Sequence, residues 1–259
     1  MDQQTYAFGI DFGGSGIKGA LVDLATGEFA TDRLRVETPA KATPEKVAAV
    51  VAQLVARAGL GPDVPVGLTV PGVVKRGVVH TAANIDPSWV GTDAEALFAE
   101  RLQRPVAVVN DADAAGLAET RYGAARGQSG LVILTTLGTG IGSALVFDGA
   151  LVPNSELGHL EMGGHDAETV AANSARERKD LSWRAWAKVL SRYYRAVEAV
   201  LWPDLFVAGG GVSKHADKFL PLLDIATPIV AAALRNRAGI VGAALLAHEK
   251  CPRWDSNPH

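Results

Sequence analysis

Residues 8–22 read FGIDFGGSGIKGALV, a strand-like run ending at an aspartate, a glycine-rich turn and a second strand-like run. Gly13, Gly14 and Gly16 allow a tight turn whose N–H groups approach a bound anion with no Cβ in the way. Ser15 adds a hydroxyl donor, Lys18 a positive charge, and Asp11 a carboxylate able to hold a cation near that anion.

The pattern returns at mid-chain. Residues 14–22, GSGIKGALV, and residues 138–146, GTGIGSALV, agree at six of nine positions, with Thr139 in place of Ser15. A Gly/Ala/Val-rich composition can produce such a match by chance. Both copies, however, follow one strand-like run and lead into another, so an ancient duplication with two phosphate-gripping turns, Gly13–Gly16 and Gly138–Thr139–Gly140, is the better reading.

A rival motif overlaps the first copy. Residues 14–19 fit G-x-G-x-x-G, the dinucleotide fingerprint, which requires a helix to follow. A second strand and a Thr26-Gly27 turn follow instead, which favours a hairpin. G-x-x-x-x-G-K-[ST] is absent, and with it a Walker-type loop.

With 259 residues, 48% of them hydrophobic, the chain can bury one large core or two modest ones. A net charge of −3 argues against a general nucleic-acid or membrane-surface binder. One cysteine, Cys251, excludes a disulfide framework and a cysteine-based zinc site. No basic-then-apolar leader or long apolar run appears, so a soluble cytoplasmic protein is expected. Residues 250–259 read as a flexible tail.

Thr43 and Pro44 open a helix with Val47, Val50, Val51, Leu54 and Val55 on its buried stripe, closed by Gly59. Residues 64–70 form a short apolar strand, 73–80 a hairpin arm, 93–102 a helix, and 106–109 a buried strand ending at Asn110 and Asp111. A helix starts there. Such a residue most often caps the helix, yet ligand sites in open α/β sheets gather at the same place. Residues 154–159 carry Glu156 and His159, a spacing more often of surface than of site. Residues 176–179 read as a solvated charged run.

The helix at 182–201 has an apolar face of Trp186, Val189, Leu190, Tyr193, Val197 and Val200. Its opposite face aligns Arg184, Lys188, Arg192 and Arg195 in a cationic ridge, either solvated surface or a track for an extended polyanion. Residues 205–207 form a strand leading to Gly209, Gly210 and Gly211, a second strand-to-helix glycine turn. Residues 228–234 and 239–248 read as buried helices.

In this order the pieces resemble the ROK (repressor, ORF, kinase) branch of the actin/Hsp70/hexokinase-like superfamily, over residues 6–249. The resemblance implies an α/β fold of two RNase H-like domains around a central cleft. The small domain would hold residues 1–110 with helix 239–249 packed back on it, and the large one residues 111–238. It makes Asp11–Lys18 and residues 137–142 phosphate motifs, and residues 207–213 the adenosine-side motif. Asp111 becomes the general base, and Asn84, Asn110, Glu156, His159 and Glu168 the sugar contacts. Asp11 would position Mg²⁺ through water.

Relatives follow Glu-x-Gly-His with a cysteine-rich zinc loop, but here residues 161–168 read EMGGHDAE. No zinc is therefore expected, and Glu168 is matched by position only. Repressor relatives carry an N-terminal helix-turn-helix, for which a first strand near Tyr6 leaves no room. The zinc-less loop, the Glu-His segment and ARERKDLSW at 175–183 are most similar to actinobacterial polyphosphate glucokinases, including a glucomannokinase subgroup. The implied activity is phosphorylation of glucose, and of mannose in that subgroup, at the 6-hydroxyl with polyphosphate or ATP, by a homodimer without nucleic-acid or membrane partners. An ATP-only hexokinase for another sugar, a non-catalytic sugar sensor and a dinucleotide-dependent enzyme are the alternatives.

Overall fold

The computed structural model of the chain describes residues 6–82 and 85–250. Asn84 and residues 251–259 lie outside the described residues. Two compact units divide the chain: residues up to 114 together with those from 239 onward, and residues 115–238.

In the first unit the glycine turn joins β1 (Tyr6–Gly13) to β2 (Gly16–Asp23) as an antiparallel hairpin, with Asp11 opposite Lys18. No helix follows the turn, which removes the dinucleotide-fingerprint reading. β3 (Glu28–Phe29) and β4 (Leu34–Val36) both pair with β2. α1 (Pro44–Ala58) ends at Gly59, whose φ of 61° is the left-handed cap that glycine favours. β5 (Val66–Val70) runs parallel to β1, and the hairpin β6 (Val74–Lys75) and β7 (Val78–Val79) follows. α2 (Ala94–Leu102) starts where the Asp93 carboxylate accepts the Ala96 N–H. β8 (Val106–Asn110) then pairs parallel with β5 and passes directly into α3 (Asp111–Tyr122).

The second unit repeats the plan. β9 (Leu131–Leu137), the second glycine turn and β10 (Ile141–Phe147) form an antiparallel hairpin, extended by β11 (Ala150–Val152). After α4 (Ala167–Ala171), α5 (Asn173–Arg178) and α6 (Trp183–Leu201), β12 (Leu205–Gly209) pairs parallel with β9 and β13 (Ile229–Ala231) with β12. The sheet orders β3-β2-β1-β5-β8 and β11-β10-β9-β12-β13 correspond strand for strand. The duplication thus extends beyond the nine-residue match to the topology of both sheets.

β13 corrects the sequence expectation of a helix over 228–234. An apolar run this short fits either element by periodicity, and the register Phe206↔Ile229 draws it into the sheet as an edge strand.

α7 (Ala238–Lys250) returns to the first unit. On one face of β1, Phe8, Ile10 and Phe12 enter a core with Val47, Val51, Leu54, Trp89 and Phe98. On the other face, Gly9 and Gly67 lie so close beneath the carbonyls of Ile240 and Ala243 that a Cβ on either would strike backbone. That close approach is why the sheet carries glycine there.

In the second unit α6 buries Trp186, Leu190, Tyr193, Tyr194 and Val197. Val200, expected on that face, is 68% exposed. Tyr194 is buried in its stead, its hydroxyl 2.7 Å from that of Thr135. No helix among the described residues is long and apolar enough to cross a membrane.

Candidate active site

In the first unit the chemistry gathers at the turn end of β1. Asp11, Lys18 and Thr69 share a row of the sheet because Asp11 pairs in register with both of the others. The Thr69 hydroxyl donates to Asp11 Oδ1 at 3.2 Å and accepts the Phe12 N–H at 3.1 Å. Lys18 Nζ lies 3.5 Å from Asp11 Oδ2, so the lysine charge is engaged by the aspartate. A Cβ on Gly239, in the first turn of α7, would come within 3.0 Å of Asp11 Oδ1.

The first glycine turn is held from outside. The Thr38 hydroxyl donates to Gly13 O at 2.6 Å, and Arg35 Nη2 to Ser15 O at 3.1 Å. None of Gly13, Gly14 and Gly16 has positive φ, so the turn's backbone does not itself demand glycine. A Cβ on Gly14 would meet nothing within 4 Å. Its lack of a side chain leaves room rather than relieving strain.

At the end of β8, Asn110 is buried and caps α3. Its Oδ1 accepts the N–H groups of Ala112 at 2.8 Å and Asp113 at 3.1 Å, while Nδ2 donates to Gly72 O at 3.0 Å. Among the described residues no acceptor takes the second amide hydrogen of Nδ2. Asp111 is exposed, and its Oδ1 accepts the Ala112 N–H at 2.9 Å. Negative charge is favoured there by the N-terminal end of the helix.

In the second unit Ser174 holds the turn Gly138–Thr139–Gly140: its N–H donates to Gly138 O at 3.0 Å and its hydroxyl to Thr139 O at 2.5 Å. On the far side, Glu168 Oε2 accepts the Ile141 N–H at 3.1 Å. The same carboxylate fills the space a Cβ on Gly140 would need, and approaches Gly158. His159 Nε2 is 4.0 Å from Glu168 Oε1.

Glu156 precedes the short helical turn Leu157–His159, in a segment clamped to β10. The Ser143 hydroxyl donates to Ser155 O and accepts the Leu157 N–H, both at 2.9 Å. Burial pushes the Glu156 carboxyl up, His159 opposes the shift, and Glu168 adds to it. Glu156, His159 and Glu168 are thus neighbours, and Glu168 links them to the second glycine turn.

Gly209, Gly210 and Gly211 follow β12. Gly210 has φ 81°, and a Cβ on it would come within 2.7 Å of Leu137 backbone, so glycine is required on both counts. Gly211 faces open space. Among the described residues no group of three or more His, Cys, Asp or Glu is placed to hold a metal ion.

Arg184, Lys188 and Arg192 are exposed along α6. Arg195 leaves the expected ridge, paired with Asp224 through Nη2. Residues 176–179 are not uniformly solvated either. Arg176 lies with its guanidinium 4.2 Å from the Trp183 ring centroid, a stacked cation. Arg35, Thr38, Thr69 and Ser174 lie outside the sequence motifs and act through one or two hydrogen bonds each.

The ROK family model matches residues 7–171. The chain belongs to the ROK family. It is 55% identical over 243 residues to the polyphosphate glucokinase of Mycobacterium tuberculosis, covering 93% of this chain and 91% of that one. It matches the crystal structure of the inorganic polyphosphate/ATP-glucomannokinase from Arthrobacter sp. strain KM with TM-score 0.90 and 56% identity, over 95% of this chain and 99% of that one. A ROK family glucokinase from Streptomyces griseus, solved in complex with glucose and AMPPNP, matches with TM-score 0.80 and 26% identity, over 94% and 99% of the two chains. The α/β fold with its two mixed sheets is that of the ROK sugar kinases.

Proposed function

We propose that this ROK protein phosphorylates glucose at its 6-hydroxyl, with inorganic polyphosphate and ATP as phosphoryl donors. The observation that carries this reading is the 55% identity to a polyphosphate glucokinase across nearly the whole of both chains. Mannose is proposed as a second acceptor, since the Arthrobacter structure is that of a glucomannokinase.

Asp111 accepts the proton of the sugar 6-hydroxyl as that oxygen attacks the terminal phosphorus and the bond to the donor's bridging oxygen breaks. Proton transfer contributes about 10²–10⁴-fold, so positioning and charge neutralisation supply the remainder. The turns at Gly13–Gly16 and Gly138–Gly140 hold donor phosphates through backbone N–H groups, Ser15 and Thr139. Gly209–Gly211 takes the nucleoside side of ATP. Asn84, Asn110, Glu156, His159 and Glu168 hold sugar hydroxyls.

The carboxylate of Asp11, bonded by the Thr69 hydroxyl and paired with Lys18, would hold Mg²⁺ through water, since a single carboxylate ordinarily leaves that ion several of its waters. Bound there, Mg²⁺ would supply charge neutralisation to the donor phosphates. Arg184, Lys188 and Arg192 form the polyphosphate track. We place the enzyme in the cytoplasm as a homodimer without zinc.

The alternatives are an ATP-only hexokinase for another sugar and a non-catalytic sugar sensor. A matrix of donors (ATP, long polyphosphate) against sugars (glucose, mannose, other hexoses) on the purified protein separates them. Glucose 6-phosphate formed from both donors supports the proposal. Turnover with ATP alone, or sugar binding without turnover, contradicts it.

A further inference from the structure

Both glycine turns have carbonyl oxygens tied off by residues that belong to neither turn. We infer that Thr38 and Ser174 are positioning residues for the phosphoryl donor, each fixing the peptide planes of one turn so that the N–H groups face the phosphates. This rests on the reading above, in which the turns bind donor.

A trans peptide holds its C=O and N–H on opposite sides, and no described peptide is cis. The bond from the Ser174 N–H to Gly138 O therefore aims the Thr139 N–H away from α5. The bond from the Ser174 hydroxyl to Thr139 O does the same for the Gly140 N–H. Thr38, through Gly13 O, aims the Gly14 N–H away from its own strand connection. Among the described residues none accepts from the N–H of Gly14, Thr139 or Gly140. Cβ positions on Gly14 and Gly138 are open. Each turn thus offers unpaired donors beside vacant space, the arrangement that receives an anion.

Glycine makes such a lock necessary. A peptide flanked by glycine rotates with little steric penalty, and a flipped plane turns a carbonyl oxygen towards the polyanion in place of an N–H. The Gly13–Gly14 peptide has glycine on both sides, and the Thr139–Gly140 peptide on one. Locking from outside removes the flipped state before the donor arrives, so less of the binding energy is lost to ordering. Because both donors present phosphates to the same turns, the effect falls on ATP and polyphosphate alike. A cationic track on α6 would favour the long chain only.

The test compares Thr38→Val and Ser174→Ala, which delete one hydroxyl each, with Thr38→Ser and Ser174→Thr, which keep it. Donor KM for ATP and for polyphosphate, glucose Kd by calorimetry and Tm are measured on each. We expect both deletions to raise KM for both donors by about five- to tenfold, the worth of one hydrogen bond. Glucose Kd and Tm should stay near wild type, and the two conservative variants should behave like wild type. Donor KM within about twofold of wild type in the deletions contradicts the positioning role while leaving the functional reading intact. So does a fall in Tm with donor KM unmoved, or a glucose Kd that worsens in step with donor KM. A wild-type protein that turns over neither donor overturns the functional reading and this inference together.

Discussion

Glu168 accepts the backbone N–H of Ile141 at 3.1 Å and lies where a side chain on Gly140 would have to go. One carboxylate thereby braces the second glycine turn and stands beside His159, 4.0 Å away. Gly140→Ala should therefore displace Glu168 and raise KM for glucose and for both donors. Gly138→Ala, whose Cβ meets nothing within 4 Å of the protein, should raise donor KM alone. Steady-state kinetics on the pair checks this. Equal behaviour of the two variants would mean that Glu168 does not link the turn to the Glu156–His159 segment.

Glu156 carries a pH prediction. Burial raises its carboxyl above the ordinary value of 4.5. A carboxylate accepts hydrogen bonds from sugar hydroxyls through both oxygens and loses part of that capacity on protonation. As pH falls through the raised pKa, Glu156 takes up a proton and glucose affinity should weaken, earlier than for an exposed glutamate. Calorimetric glucose Kd between about pH 8 and pH 4 reads this directly. Glu156→Gln should flatten the profile at reduced affinity. A profile of the same slope in that variant would assign the titration to another group.

Asn110 carries a stability prediction. Its side chain satisfies two N–H groups at the start of α3 and donates to Gly72 O. Asn110→Ala should cost about 1–2 kcal/mol, the usual range for a lost cap, and Asn110→Asp much less. Denaturant unfolding measures both. A difference below about 0.5 kcal/mol between the two variants would contradict the capping role.

Charge reversal separates a polyphosphate track on α6 from solvated surface. Arg184→Glu with Arg192→Glu should raise KM for long polyphosphate far more than KM for ATP, and the wild-type KM for polyphosphate should climb steeply with salt. Arg195→Glu should matter less, since Arg195 is already paired with Asp224. Equal shifts for both donors, or none, would leave Arg184, Lys188 and Arg192 as surface.

The hairpin at Asp11–Lys18 and its echo at 138–146 were legible because glycine turns between strands leave a compact local signature. From them the paired sheet topology could be anticipated. Ser174 and Thr38 left no such trace, since a hydroxyl that bonds a carbonyl 35 or 25 residues away looks like any other in one dimension. Tertiary pairing decided the remaining differences. Residues 229–231 became a strand because β12 offered an open edge. Arg195 left the ridge because the segment after Leu222 brings Asp224 against it. Arg176 found the Trp183 ring seven residues on, a contact that no charge count reveals.

The most direct test of Asp111 as the base of a glucose-phosphorylating enzyme is Asp111→Asn, with glucose Kd and turnover measured on the same preparation. We expect glucose Kd close to wild type and turnover lower by about 10²-fold or more with ATP and with polyphosphate alike, because only the proton acceptor is lost. A variant that keeps more than about a tenth of wild-type turnover at unchanged glucose affinity would remove Asp111 from that role.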